Sequence, residues 1–163
     1  SPGFYLGTVL AYPRFDRPGR PRTYLLALLL FVSSLLTKPV TVTLYNPDTS
    51  VAGSIAANVN GTFSLSIAPG TYTTIASAPG YLKAQGSFIV TSGNTTTAQT
   101  ISILAGDIDG NDVIDQFDAL TIGINYNGTT PTAADLNNDG VINVLDMEVL
   151  APNYRQAGAL AWQ

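Results

Sequence analysis

A β-sandwich followed by a small helical domain built on two cation-binding loops is the fold class this sequence predicts. Three observations carry that prediction. Residues 39–104 consist of short runs rich in Thr, Val, Ile, Tyr and Phe, cut by turn residues. The sign of the charge reverses near residue 106. A twelve-residue motif rich in Asp and Asn then occurs twice, 28 residues apart.

The composition excludes much chemistry before any element is placed. The chain has 163 residues, a formal net charge of −4, no cysteine and no histidine. There is accordingly no disulfide framework, no thiolate or imidazole metal site and no Ser-His-Asp or Cys-His relay. Glu148 is the lone glutamate, so paired-carboxylate hydrolysis would have to be built from aspartates. Up to Gly106 two acids face six bases, and from Asp107 onward nine acids face Arg155 alone. That reversal sets an expected boundary between domains at 1–104 and 105–163. The basic group at residues 14–22 is small and proline-rich, and with an acidic second half it argues against nucleic acid binding.

Taking the elements in order, Tyr5–Ala11 is a candidate first strand. Tyr24–Leu36 (YLLALLLFVSSLL) is an apolar run of thirteen residues between Arg22 and Lys38. A membrane span needs about 20 such residues, so no span is expected here. Its Leu-rich composition fits helix better than strand, and its conformation stays open. It either packs against its own sandwich or inserts into a neighbouring copy. Pro39–Tyr45 alternates, with Val40, Val42 and Leu44 on one face, and Thr62–Ile67 does the same with Phe63, Leu65 and Ile67. Period two with β-branched residues means half-buried strands. Turn signals separate them: Asn46-Pro47-Asp48, Asn60-Gly61, Pro69-Gly70, Pro79-Gly80 and Ser92-Gly93-Asn94. Strands at such spacing form a small antiparallel sandwich.

The segments VTVTLYNPDTS (40–50), NGTFSLSIAPGTYTTIASAPGYL (60–82) and SFIVTSGNTTTAQTISIL (87–104) resemble the carboxypeptidase regulatory-like (transthyretin-like, broadly Ig-like) β-sandwich domains of secreted proteins. The resemblance implies a non-catalytic module placed beside another domain.

The repeated motif runs from Asp107 to Asp118 and from Asp135 to Asp146, without a gap between copies. Oxygen-bearing side chains fall at loop positions 1, 3, 5, 9 and 12: Asp107, Asp109, Asn111, Asp115 and Asp118, then Asp135, Asn137, Asp139, Asn143 and Asp146. This is the ligand spacing of an EF-hand loop, in which alternate side chains of a compact turn aim oxygens at one hard cation. Position 7 supplies only its carbonyl, so Val113 and Val141 serve there. Position 8 holds Ile114 and Ile142, where such loops pair through a short β-contact. Two matching loops in register make an accidental acidic turn a poor explanation, and Ca²⁺ suits an irregular oxygen shell better than Mg²⁺.

Each loop is followed by a helical pattern, over residues 116–126 and 144–154, and Pro152 should stop the second early. Phe117, Leu120 and Ile124 share a face, as do Leu145 and Leu150 with Val149 nearby. GDIDGNDVIDQFDAL (106–120) and ADLNNDGVINVLDMEVL (134–150), each with Asp at position 12, resemble a type I dockerin domain. That resemblance implies two calcium ions, an F-hand pair, an extracellular setting and a cohesin partner read at loop positions 10 and 11. Here those positions hold Gln116-Phe117 and Val144-Leu145, with no basic residue in the first helix and Arg155 after the second. Asp112 replaces the glycine usual at position 6 of the first loop.

The function these readings imply is a secreted, non-catalytic, calcium-binding structural protein. Taken whole, the chain has no catalytic domain, and Tyr24–Leu36 or an N-terminal strand offers a route to a homo-oligomer, polymer or filament at a cell surface. The alternative is a docking module that binds a cohesin-like receptor. Asn60, Asn94 and Asn127 begin Asn-x-Ser/Thr sequons in predicted turns, where chance in a Thr-rich chain is the simpler account.

Overall fold

A computed structural model describes residues 24–29 and 38–163. The candidate strand Tyr5–Ala11, the basic group at 14–22 and residues 30–36 lie outside the described residues. Seven strands come first: β1 (Tyr24–Leu29), β2 (Thr41–Tyr45), β3 (Val51–Ala56), β4 (Thr62–Ile67), β5 (Gly70–Ser77), β6 (Ala84–Val90) and β7 (Thr96–Ala98). Two helices follow, α1 (Gln116–Ile124) and α2 (Val144–Leu150), and a last strand, β8 (Leu160–Trp162), ends the chain.

The strands form a sandwich of one three-stranded sheet, β4-β1-β7, and one five-stranded sheet, β3-β2-β5-β6-β8. Its alternation is the one read from the sequence. Val40, Val42 and Leu44 turn inward and are fully buried, and Phe63 and Ile67 meet them from β4 while Leu65 is half-buried. Tyr72, Ala76, Ala84, Phe88 and Val90 complete the layer from β5 and β6. Tyr24–Leu29 is a strand, against the helical lean of its composition. It lies centrally, antiparallel to β4 from Tyr24↔Ile67 to Leu29↔Thr62 and parallel to β7 from Leu26↔Thr96 to Leu28↔Ala98. A strand hydrogen-bonded on both edges inside a sandwich tolerates a continuous apolar run, which periodicity cannot tell from a buried helix.

The second half closes on its own core of Ala105, Ile114, Ile122, Ala134, Leu136, Ile142 and Leu150. Two residues cross between the halves. Leu82, from the turn after β5, is buried in this second core. Trp162, from the far end of the chain, is buried in the sandwich core. β8 reaches it by pairing parallel to β6, Ala84↔Leu160 to Gly86↔Trp162, so the last residues of the acidic half form the edge of the large sheet. Gly86 permits that approach, because a Cβ there would meet the Trp162 carbonyl oxygen at 2.2 Å. Trp162 stacks edge-on against Phe88 and Phe63, at 5.5 and 6.4 Å between centroids, and its Nε1–H donates to the Gln99 carbonyl at 2.8 Å.

The helices end as their residues require. α2 stops at Leu150 and passes into a 3-10 turn, Ala151–Asn153, containing Pro152. On α1 the residue facing the core is Ile122, so the shared face of Phe117, Leu120 and Ile124 points outward. On α2 Leu150 is buried while Leu145 is exposed, and these two do not share a face. They are five positions apart, which is about 140° around a helix of 3.6 residues per turn.

Candidate functional site

The two loops are built alike, from the backbone upward. Positions 4 and 6 are left-handed in both: Gly110 and Asp112 at φ +75° and +66°, Asn138 and Gly140 at +58° and +93°. Asx turns set the rise between them. Asp109 Oδ1 accepts from Asn111 N–H at 3.1 Å and Asn111 Oδ1 from Val113 N–H at 2.8 Å. The same steps recur at Asn137 to Asp139, 3.0 Å, and Asp139 to Val141, 2.9 Å.

Position 12 closes each loop and starts each helix. Asp118 Oδ2 accepts from Asp115 N–H at 2.8 Å, while its Oδ1 accepts from Ile108 and Asp109 N–H at 2.7 and 3.2 Å. Asp146 does the same with Asn143 and Asn137, at 2.8 and 3.2 Å. Asp115 and Asn143, at position 9, are the helix N-caps and accept from Phe117 and Leu145 N–H, both at 2.7 Å. Each loop therefore contains a capping box, which satisfies orphan donors of the helix that follows. Asp107 Oδ2 accepts from Asp112 N–H at 3.2 Å, and Asp135 accepts from Asp139 and Gly140 N–H at 3.1 and 2.9 Å.

The carboxylates at positions 1 and 12, namely Asp107, Asp118, Asp135 and Asp146, are all buried. One oxygen each from Asp107, Asp109 and Asp118 lies within 4.8 Å of the others. Among the described residues this is the only such group; the second loop does not bring three carboxylates as close. Asp107 Oδ1 is buried without a hydrogen-bond partner. Burial pushes the Asp107 carboxyl above its usual range, and the charges of Asp118 and Asp112 push the same way. Buried carboxylates facing one another are costly unless a cation joins them. An oxygen-only donor set with an orphaned buried oxygen fits a hard divalent ion such as Ca²⁺.

The position 8 residues do not pair with each other. Ile114 donates to Gln156 O and accepts from Arg155 N–H, at 2.9 and 2.8 Å, while Ile142 exchanges bonds with Gly128 and Asn127, both at 2.8 Å. Each loop is thus stitched to the tail behind the other repeat's helix. Asn127 and Arg155, 28 residues apart, are both left-handed, at φ +62° and +70°.

Sandwich residues touch both loops, which no spacing in the sequence announced. Asp112, the departure from glycine at position 6, pairs with Lys83 at 2.9 Å. Lys38 is buried and its Nζ donates to the Thr132 carbonyl just ahead of the second loop. Tyr81 Oη donates to the Leu136 carbonyl at 3.0 Å. Gly80, at φ +82°, lets the backbones meet, since a Cβ there would lie 2.2 Å from the Ala133 oxygen.

Comparison with known proteins agrees with this division. The carboxypeptidase regulatory-like domain family matches residues 37–103, and the dockerin type I domain family matches residues 105–153. The chain joins a carboxypeptidase regulatory-like domain to a dockerin type I domain. Both are non-catalytic modules, and dockerin type I domains bind calcium. A chain of a type II cohesin-X-dockerin complex from Acetivibrio cellulolyticus, an N-terminal interface mutant, shares the fold with TM-score 0.59 and 20% identity, over 84% of this chain and 97% of that one. A C-terminal interface mutant of that complex gives TM-score 0.60 and 22% identity, over 82% and 97%. No curated protein matches the chain. No helix among the described residues is long and apolar enough to cross a membrane.

The outward face of the dockerin helices is apolar. Phe117, Leu120 and Ile124 on α1 are 56%, 56% and 73% exposed, and Tyr126 continues the strip. Val144 and Leu145 present a second exposed apolar pair at the start of α2. Phe117, Val144 and Leu145 are legible from loop positions 10 and 11; the outward turn of Leu120 and Ile124 is set by Ile122 taking the core position.

Proposed function

We propose that this chain is an extracellular, non-catalytic docking module that takes up two calcium ions and binds a cohesin-like receptor through the apolar face of its dockerin helices. One ion is assigned to Asp107, Asp109, Asn111, the Val113 carbonyl, Asp115 and Asp118. The other is assigned to Asp135, Asn137, Asp139, the Val141 carbonyl, Asn143 and Asp146. Calcium would supply the positive charge that the buried carboxylates at positions 1 and 12 need, coupling metal uptake to folding of the loops.

The observation that carries the reading is the exposure of Phe117, Leu120 and Ile124 together on a helix whose first turn is fixed by a calcium-loop carboxylate. Contiguous apolar patches of this kind mark interaction sites, and cohesin-dockerin assemblies share the fold. The test is titration of the chain and of a Phe117→Asp/Leu120→Asp variant against immobilised cohesin domains in calcium. The expected result is calcium-dependent binding that the double variant loses by at least about a hundredfold, with melting altered by no more than about 0.5 kcal/mol, as for exposed positions. No binding to any cohesin would overturn the receptor assignment.

A self-assembling filament subunit is the competing reading. Tyr24–Leu29 is paired on both edges within its own chain, which supports docking over assembly through that part of the segment. Sedimentation velocity in calcium and in EDTA separates the two: a monomer in both supports docking, and large calcium-dependent species support assembly.

A further inference from the structure

The chain contains two lysines, and each reaches one calcium loop from the sandwich side of the molecule. Lys38, just ahead of β2, is 6% exposed, and its ammonium is bonded to the Thr132 carbonyl, three residues before Asp135. Asp135 and Asp146 attract that ammonium, against the burial that disfavours its charge. Lys83, beside β6, pairs with Asp112 at position 6 of the first loop, at 2.9 Å. That pair is partly exposed, with side chains 38% and 34% accessible, so solvent screens it. A lysine is buried only where something needs its charge. The second loop offers that need in two buried carboxylates that gather no third carboxylate around them.

We propose that Lys38 and Lys83 are resident counter-charges: they keep the metal-free loops folded against the sandwich, and they set how tightly each loop takes calcium. This rests on the calcium assignment above. A fixed positive charge stabilises the metal-free carboxylates and repels the arriving divalent ion, so it lowers affinity while raising metal-free stability. The buried lysine acts strongly on the second loop and the screened one weakly on the first. The two sites are therefore unequal although their loops are built alike.

The test is calorimetric calcium titration of the full chain and of Lys38→Met, Lys38→Arg and Lys83→Met, with melting in EDTA and in saturating calcium. Lys38→Met should tighten one of the two sites about tenfold, the scale set by a unit charge beside a divalent ion in a partly screened site. Its melting point should fall more in EDTA than in calcium. Lys38→Arg, which keeps the charge, should stay within about twofold of the parent, and Lys83→Met should tighten the other site by about twofold. Should Lys38→Met unfold in EDTA, its calcium-driven refolding midpoint reports the same affinity. Unchanged or weakened affinity in Lys38→Met, or an equal fall in melting point in both conditions, would reduce Lys38 to an interface hydrogen bond and overturn the proposal. A parent chain that takes up no calcium would instead overturn the underlying site assignment.

Discussion

Replacing Trp162 by Ala tests whether the end of the chain belongs to the sandwich. The indole is 4% exposed, lies edge-on against Phe63 and Phe88, and donates to the Gln99 carbonyl at 2.8 Å. Truncating a buried Trp costs about 3–5 kcal/mol. Losing two edge-to-face pairs adds about 0.5–1.5 kcal/mol each, and the abandoned Gln99 carbonyl about 1 kcal/mol more. An edge strand of three residues relaxes more readily than a central one, so we set the net loss at about 4 kcal/mol rather than the sum. For a chain of this size that is a fall of about 12 °C in the melting point. Gly86→Ala approaches the same strand from the other side, because the new Cβ would meet the Trp162 carbonyl oxygen at 2.2 Å. It should expel β8 and melt like the tryptophan variant. Circular dichroism melts in calcium decide the matter. A loss below about 1 kcal/mol, within the usual range for surface substitutions or little above it, would refute the burial argument. Parent-like melting of Gly86→Ala would refute the β6–β8 register.

Three further outcomes follow from the loops. Asp135→Ala should lower the calcium stoichiometry from two ions to one and reduce the helical signal of α2; two ions retained would refute the loop assignment. Asp115→Ala removes the side chain that caps α1 through Phe117 N–H, so it should cost about 1 kcal/mol in calcium or EDTA alike, and a neutral result would refute the cap. In EDTA the raised pKa of Asp107 makes its contribution fully favourable below its unfolded value, about 3.9, and lost as pH rises through the folded one. Melts in EDTA should show that part of the stability falling as pH rises above about 4, with calcium reversing the trend; an Asp107→Asn variant with the same EDTA profile as the parent would refute it.

What the sequence disclosed was whatever repeats or alternates. The faces of Pro39–Tyr45 and Thr62–Ile67 follow from period two, and the loops follow from ten oxygen-bearing residues matching at an offset of 28. Features set by a distant partner left no such trace. Leu160–Trp162 is too short to show a period, and its strand exists because β6 offers an edge with a glycine opposite Trp162. Leu-rich Tyr24–Leu29 carries a helical composition that pairing on both edges overrides. Lys38 and Lys83 are single charges at unremarkable positions, and only the folded chain brings them to loops roughly a hundred and thirty residues apart in role.

The loop repeat also explains why the docking face arrives preformed. Ile114 and Ile142 have one backbone donor and one acceptor each, and both are bonded to the tail of the opposite repeat. Neither loop closes on its own helix, so the two repeats order together. The same exchange occurs one level up, where Leu82 is buried in the dockerin core and Trp162 in the sandwich core. Pulling the halves apart would expose both residues along with the Tyr81 and Lys38 hydrogen bonds. A partner meeting Phe117, Leu120 and Ile124 therefore meets a face whose helix is already capped and whose loops are already braced. Binding to such a face avoids the entropy of ordering a loose module, which is where rigid attachment to a sandwich adds affinity without adding a contact. The apolar character of the strip then fixes the kind of association: burial rather than charge should drive it, and it should weaken little as salt is raised.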